Sequence, residues 1–235
     1  MNPTVIVVAP DSFAETAATA IADFVNSTIA SQGACSVALC GGTTPAPVYR
    51  ALTHHSVDWS KVSIWFGDER AVPPISPDSN FAMACASLMD FVAIPGVRIH
   101  RMPAERPDID SAAQEYGETL PPSFDLLLLG MGPDGHTASL FPGSPALSER
   151  ERRVVAVPSP TPPLQPQVAR MTITPVVIEA ARHVIVMVRG SDKAAILRQV
   201  LDGPEQPVML PAQLARGGTW IVDRAAGAQL QARNS

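Results

Sequence analysis

The chain has very little lysine, few aromatic residues and no long apolar run. Lys61 and Lys193 are its only lysines, and Phe, Trp and Tyr together make up 5% of the 235 residues. No apolar run approaches the roughly 20 residues that a membrane-spanning helix needs. The N-terminus also has no basic region ahead of an apolar segment and no cleavage site of a signal peptide. We therefore expect a cytoplasmic protein that does not contact a membrane.

Several common function classes lack support. The net charge of −5 argues against broad nucleic-acid binding, so no nucleic-acid partner is expected. The three cysteines are odd in number and have no metal or redox spacing, which predicts reduced, mostly buried thiols. G-x-S-x-G, H-E-x-x-H and P-loop lysine patterns are also absent, so serine hydrolase, zinc protease and NTPase functions are not indicated.

Apolar strand signals alternate with helical ones along the whole chain. This alternation predicts an α/β fold of three layers, Rossmann-like, with a mostly parallel sheet and helices on both faces. No strong boundary interrupts it, so residues 1–235 are expected to form one domain. Five prolines in residues 158–166 predict a semi-rigid loop within that domain. The expected strands are 4–8, 36–40, 62–66, 98–100, 124–129, 153–157, 168–174, 184–188 and 220–222.

Residues 123–143 carry the strongest functional signal. The apolar run 124–129 does not alternate, which is typical of a strand buried on both faces. It ends in a glycine-rich turn, 130–135, and His136 follows at once. Ligands of open α/β sheets bind at the carboxyl ends of strands. We therefore predict that His136 is the acid/base group, with Asp134 nearby, although a polar turn residue remains the alternative.

The turn 130–135 also satisfies G-x-G-x-x-G, the pattern of a dinucleotide site. Its context is poor, because Pro133 lies inside the turn and the following apolar segment is short. The next strand, 153–157, does not end in the acidic residue that would hold a ribose. A nucleotide cofactor is therefore disfavoured.

A second glycine turn, residues 41–44, precedes a predicted helix that begins at Pro45. Thr44 is expected to be the N-cap, with proline at the first helical position. Strand, glycine turn and helix N-terminus together make a natural anion site, since free N–H groups meet the positive end of the helix dipole. A tight turn with a good N-cap is the alternative. Capping needs only one hydroxyl, so the presence of two threonines favours a phosphate-binding site.

Charged residues follow other strands at the same expected sheet edge. Arg70 can make forked contacts to phosphate or carboxylate. Asp68 is expected either to orient His136 or to act as a second acid/base. Lys193 begins a helix, where the dipole disfavours a cation, so an anionic ligand there is plausible. Arg170, which lies on the expected strand 168–174, is a weaker candidate, because about half of such arginines are ordinary salt-bridge partners.

Taken together, these motifs resemble the 6-phosphogluconolactonase family. The matching segments are 40–45 (CGGTTP), 65–84 (WFGDERAVPPISPDSNFAMA), 124–143 (FDLLLLGMGPDGHTASLFPG), 170–175 (RMTITP) and 190–197 (GSDKAAIL). That family hydrolyses 6-phosphogluconolactone to 6-phosphogluconate in the pentose phosphate pathway. The resemblance implies a fold like that of glucosamine-6-phosphate deaminase and no metal or organic cofactor.

Carried over by motif, the resemblance implies a histidine general base that activates water. It implies that Arg70 contacts the substrate, that Asp68 supports the site, that Gly42, Thr43 and Thr44 contact the phosphate, and that Arg170 and Lys193 lie near the phosphate or sugar. Together with the residues singled out from the sequence itself, the expected catalytic residues are His136, Asp68, Arg70 and Asp134. The expected substrate- and phosphate-binding residues are Gly41, Gly42, Thr43, Thr44, Arg70, Gly132, Arg170 and Lys193. The family often has serine or arginine where Thr43 stands, so that phosphate contact is expected to differ in detail. The expected partner is a small phosphosugar lactone, and the expected state a monomer or weak homo-oligomer.

Two other functions remain to be distinguished. An amino-sugar phosphate deaminase or isomerase on the same fold would keep the phosphate loop and the D-G-H turn. That family has tyrosine where Arg70 stands and an asparagine–glutamate pair where this chain has Leu140 and Phe141. A sugar-phosphate sensor would carry an N-terminal DNA-binding module, whereas the first strand here is expected at about Thr4.

Overall fold

The fold is built around a parallel sheet of six strands. The computed structural model describes residues 3–161 and 165–231. Along the sheet the order is β1-β9-β8-β5-β2-β3, and all neighbours run parallel. These strands are β1 (Thr4–Val8), β2 (Cys35–Leu39), β3 (Val62–Phe66), β5 (Leu126–Gly130), β8 (His183–Val188) and β9 (Thr219–Asp223).

Helices cover both faces of this sheet, as predicted. Along the strand order of the sheet, the chain moves from β2 to β3 in one direction and from β8 to β9 in the other. Right-handed crossovers therefore place the helices of these two connections on opposite faces of the sheet. The long helix α1 buries residues four apart, among them Phe13, Ala17 and Ile21, and packs on α2. The helices are α1 (Phe13–Gln32), α2 (Pro45–Leu52), α3 (Asn80–Ala84), α4 (Ile109–Thr119), α5 (Pro175–Ala180) and α6 (Ala194–Asp202); a π turn over Cys85–Met89 extends α3.

A second, antiparallel sheet stands beside the first, and the sequence did not predict it. It contains β4 (Asp68–Arg70), β6 (Val154–Val157) and β7 (Arg170–Ile173) in the order β4-β7-β6. We expected the last two in the parallel sheet and Asp68–Arg70 in a turn. Asp68 pairs with Thr172, about a hundred residues away, and local propensity carries no information on so distant a partner.

Most of the other predicted elements lie within a few residues of those observed. The strand expected around residues 98–100 is instead a 3-10 turn, Gly96–Arg98, followed by one isolated bridge between Ile64 and Ile99. In the proline-rich segment, residues 158–161 and 165–166 contain no helix or strand, as expected, and residues 162–164 lie outside the described part of the chain. None of the helices in the described ranges is long and apolar enough to span a membrane.

The central strand β5 brings the two glycine turns together. The side chains of Leu126–Leu129 are fully buried, because both faces of β5 are covered. Strand β2 lies beside β5. Within this sheet, the strand that follows β2 in the chain is β3, on one side, and the strand that follows β5 is β8, on the other, which the chain reaches after it has passed through the second sheet. At such a reversal the two following loops diverge and leave a crevice at the carboxyl ends of the strands.

Candidate active site

A cavity of about 190 Å³ occupies this crevice. All of the predicted site residues line it except Asp134, which lies beside the ring of His136. The other residues of its wall were not predicted from the sequence; they are Cys40, Pro45, Gly130, Met131, Ala138 and Met187. The cavity therefore contains the candidate base, three cationic side chains and the loop after β2.

Glycines in the turn after β5 position the candidate base, His136. The Gly132 N–H donates to the His136 carbonyl at 2.9 Å, and the Gly135 N–H donates to the Gly132 carbonyl at 3.1 Å. Gly135 has φ of 82°, in the left-handed region that favours glycine. A Cβ on Gly132 would lie 2.1 Å from Nδ1 and Cε1 of His136. The imidazole thus packs directly on a backbone that has no side chain.

Asp134 fixes the orientation of the His136 ring. Its Oδ1 lies 2.5 Å from Nδ1 of His136 and also accepts the His136 backbone N–H at 3.1 Å. A proton on Nδ1 leaves Nε2 with the free lone pair, and Nε2 has no protein partner in the described ranges. Burial tends to raise the pKa of Asp134, but hydrogen bonds and the charge of His136 outweigh it, so this pKa lies below the ordinary value.

Asp68 does not have the role of orienting His136 that the sequence suggested. Its carboxylate accepts hydrogen bonds from Asn80 Nδ2 at 3.0 Å and from Ser139 Oγ at 2.6 Å. The side chain is buried and also lines the cavity. Asp134 takes the orienting role because it is two residues from His136 in the same turn, whereas Asp68 lies on β4 and bonds elsewhere.

Glu69 supports this wall from behind. The strand alternation of β4 turns its carboxylate away from the cavity, where it accepts four hydrogen bonds of 2.8–2.9 Å. The donors are the Arg70, Asn80 and Phe81 N–H groups and the Ser79 hydroxyl. Burial raises the pKa of Glu69, although these donors oppose the shift. Glu69 therefore joins β4 to the start of α3.

The glycine–threonine loop after β2 leaves its polar groups free. Gly42 has φ of 98°, and Thr44 has the N-cap position of α2 without a side-chain capping bond. The capping expected of Thr44 is wrong for two reasons: its backbone is helical (φ −70°, ψ −45°), and Pro47 at the third helical position has no N–H. In the described ranges, the hydroxyls of Thr43 and Thr44 make no hydrogen bond within the protein.

Arg70 and Arg170 are Cα partners across β4 and β7. Each has a buried Nε–H without a hydrogen-bond partner in the described part of the chain. Arg170 Nη2 donates to the Pro166 carbonyl at 3.0 Å, and its guanidinium lies 5.7 Å from the Phe141 ring centroid. Burial lowers the pKa of Arg170; the charge of Asp68 opposes this shift, and that of Arg70 adds to it. Two partly unsatisfied guanidinium groups beside one cavity favour an anionic ligand.

Lys193 reaches the cavity from the turn before α6. Its ammonium pairs with Asp192 at 2.6 Å, and its side chain is 19% exposed. Asp223, at the end of β9, holds this turn by accepting the Gly190 N–H at 3.2 Å. Because Gly190 has φ of 98°, the turn approaches the cavity in a conformation that a larger residue disfavours.

Sequence reasoning missed the polar residues that hold the site from behind. For three of them the signal was present in the quoted motifs 65–84 and 124–143, because each is a polar residue that comes after an expected strand, whereas Asp223 lies outside the quoted motifs. It was ambiguous, however, since such residues usually face solvent. No group of three or more His, Cys, Asp and Glu residues within the described ranges could hold a metal ion. The residues that were missed are Asn80, Ser139, Glu69 and Asp223.

Comparison with known proteins identifies the class first. Residues 9–222 match the family described as glucosamine-6-phosphate isomerases/6-phosphogluconolactonase, and the chain belongs to this family. The structure of a monomeric glucosamine-6-phosphate deaminase of the NagB superfamily has the same fold, with a TM-score of 0.84 at 18% identity over 97% of this chain and 100% of that one.

Relatives with higher identity define the branch. The chain is 36% identical over 220 residues to a 6-phosphogluconolactonase from Synechocystis sp., which covers 88% of this chain and 89% of that protein. It is 37% identical over 240 residues to one from Streptomyces coelicolor, at 92% and 90% coverage. The structure of the Trypanosoma brucei 6-phosphogluconolactonase matches with a TM-score of 0.86 at 28% identity, over 98% and 99% of the two chains. The chain is thus an enzyme of the lactonase class.

Proposed function

We propose that this enzyme hydrolyses 6-phospho-D-glucono-1,5-lactone to 6-phospho-D-gluconate, with His136 as the general base and without a metal. The observation that carries the proposal is the His136–Asp134 pair on the wall of a cavity with three cationic side chains. A lactone is an activated ester, so attack by water requires a base and an oxyanion donor but no covalent nucleophile.

In the proposed reaction, Nε2 of His136 takes a proton from water as the oxygen attacks the lactone carbonyl. Asp134 keeps the other ring nitrogen protonated and stabilises the imidazolium that forms. That imidazolium, or solvent, then protonates the departing ring oxygen. The negative charge on the carbonyl oxygen is stabilised by Arg70 or by free amides of the turn after β5.

The phosphate supplies the binding energy that aligns the carbonyl with the base. The loop of Gly41, Gly42, Thr43 and Thr44 offers free amides and hydroxyls, and Arg170 and Lys193 add positive charge. Gly132 lets the backbone approach closely beside His136. Interactions with the phosphate, far from the reacting bond, then serve orientation at the carbonyl.

The direct test is hydrolysis of freshly generated lactone, coupled to oxidation of 6-phosphogluconate and corrected for spontaneous opening. Wild type should accelerate the reaction, and His136→Asn should lower kcat on the order of 10²–10⁴. Exposed His54 offers a matched control, because His54→Asn makes the same change away from the cavity. A His136→Asn enzyme within about threefold of wild type would remove the base assignment. Lys193→Ala should chiefly raise KM.

The amino-sugar phosphate deaminase is the second function to test, because it shares the fold. Release of ammonia from glucosamine 6-phosphate, without acceleration of lactone opening, would reverse the proposal.

The further proposals are that residues 1–235 act as one domain, that the enzyme is a monomer or weak homo-oligomer, and that it works in the cytoplasm. Light scattering at increasing protein concentration tests the oligomeric state.

A further inference from the structure

Asn80 is the first residue of α3 and is 1% exposed. It does not line the cavity, yet its side chain lies against Asp68 and Gly41, which do. We propose that Asn80 is a positioning residue that holds the carboxylate of Asp68 and the phosphate loop (residues 41–44) in fixed positions relative to each other. This inference rests on the proposed function, because it concerns the same cavity.

Asn80 holds Asp68 through two hydrogen bonds. Its Nδ2 donates to the Asp68 backbone carbonyl at 2.8 Å and to Oδ1 of the same residue at 3.0 Å. Ser139 Oγ holds the other carboxylate oxygen at 2.6 Å. The forked contact ties the rotamer of Asp68 to the position of its own backbone, so the carboxylate cannot turn without breaking a buried bond.

Asn80 contacts the phosphate loop through close packing against Gly41. A Cβ placed on Gly41 would lie 1.8 Å from Asn80 Oδ1 and 2.1 Å from its Cγ. The φ of Gly41 is outside the left-handed region, so glycine is needed there for space rather than for backbone conformation. Oδ1 has no hydrogen-bond donor in the described part of the chain, and it occupies the place where a side chain on Gly41 would stand.

One planar amide therefore spans two parts of the cavity that have different tasks in the proposed reaction. Gly41 belongs to the loop that binds phosphate, and Asp68 stands on the wall formed by β4. A displacement of about 1 Å between an anchoring group and the reacting atoms is enough to lower a rate by about 10². Because Asn80 contacts both Gly41 and Asp68 directly, it determines the distance between the phosphate loop and the Asp68 carboxylate, and no flexible residue lies between them.

A role limited to starting α3 makes a different prediction. The Asn80 backbone N–H donates to Glu69 at 2.8 Å, and this bond survives in Asn80→Ala. Ser79 is the N-cap of α3, since its hydroxyl accepts the Ala82 N–H at 3.1 Å. Ser79→Ala therefore weakens the start of the helix without removing the Asn80 amide, which separates the two roles.

The first experiment measures kcat, KM and the unfolding temperature of Asn80→Ala, Ser79→Ala and Asn26→Ala. Asn26 is exposed and bonds the Ser56 carbonyl, so it controls for loss of an amide. Asn80→Ala should lower kcat by about 10- to 100-fold. Ser79→Ala should lower the unfolding temperature at least as much while kcat stays within about threefold. An equal loss of kcat in Ser79→Ala, or a loss of about twofold or less in Asn80→Ala, overturns the inference.

The second experiment is a rescue. Gly41→Ala alone should weaken the binding of inorganic phosphate and lower the unfolding temperature, because its Cβ collides with the Asn80 amide. The double variant Gly41→Ala/Asn80→Ala removes the collision. It should regain most of the phosphate affinity and thermal stability that Gly41→Ala loses, while kcat stays as low as in Asn80→Ala.

The failures of the two proposals are distinguishable. A wild type without lactonase activity contradicts the proposed reaction, and phosphate affinity in the rescue then decides the role of Asn80 by itself. A wild type with activity, and a double variant that binds phosphate no better than Gly41→Ala, overturns the coupling while the lactonase assignment stands.

Discussion

Arg70 and Arg170 lie opposite each other on β4 and β7, and each keeps a buried Nε–H without an acceptor. Two guanidinium groups side by side repel each other, and burial removes the water that would screen them. Such an arrangement is unfavourable in an empty protein and becomes favourable when an anion occupies the cavity. The pair therefore indicates that part of the folding free energy is given up for ligand binding.

Replacement of Arg170 should separate stability from binding. Arg170→Met keeps most of the packing volume and removes a desolvated charge, so we expect an unfolding temperature equal to or above that of wild type. Phosphate should bind about tenfold or more weakly, because charged hydrogen bonds are lost. Calorimetry with and without inorganic phosphate measures both effects. Exposed Arg198→Met is the matched control, and unchanged phosphate affinity in Arg170→Met would place the ligand elsewhere.

The contact between Asp134 and His136 should control the rate more than binding. Asp134→Asn allows the ring to adopt the other tautomer, in which Nε2 carries the proton and cannot accept one from water. We expect kcat to fall on the order of 10² while the affinity for 6-phosphogluconate changes little. Steady-state kinetics and titration calorimetry give the two values. A variant that keeps full kcat would show that the tautomer does not matter.

The same carboxylate should make stability depend on pH. The pKa of Asp134 is lower in the folded protein than its ordinary value of about 3.9, because His136 outweighs burial. Ionised Asp134 therefore adds stability above its unfolded-state pKa, and that contribution is lost as the pH falls through the folded-state pKa. The unfolding free energy of wild type should exceed that of Asp134→Asn at neutral pH, and the gap should narrow in acid. A constant gap would contradict the assigned hydrogen bond between Asp134 and His136.

Gly132 should be essential for placing the base. A Cβ there would lie 2.1 Å from the His136 ring, so Gly132→Ala must displace the imidazole. We expect kcat to fall by about 10² or more, with smaller effects on phosphate affinity. Gly96→Ala is a suitable control, because a Cβ at Gly96 meets nothing within 4 Å. Wild-type kcat in Gly132→Ala would show that the ring is free to move without cost.

Much of the parallel sheet could be predicted, because each of its strands has a recognisable pattern in its own residues. The central run 124–129 has no polar alternation, and the leucines of β5 are indeed fully buried. The glycine turns follow directly from composition, since the chain cannot continue a strand through them. By contrast, nothing local in Asp68–Arg70 indicates that it pairs antiparallel with a strand a hundred residues away.

The sequence alone determined which groups stand at the carboxyl ends of β2 and β5, because side chains that follow strands are carried there by chain order. It therefore predicted His136, the loop of residues 41–44 and the cations near them. Only the tertiary structure decided which groups touch. It paired His136 with Asp134 rather than Asp68, left the Thr44 hydroxyl free, and set Asn80 between Asp68 and Gly41. The first two outcomes depend on the backbone geometry of single turns, and the third depends on distances of a few ångströms between segments far apart in the chain. Residue types alone specify neither.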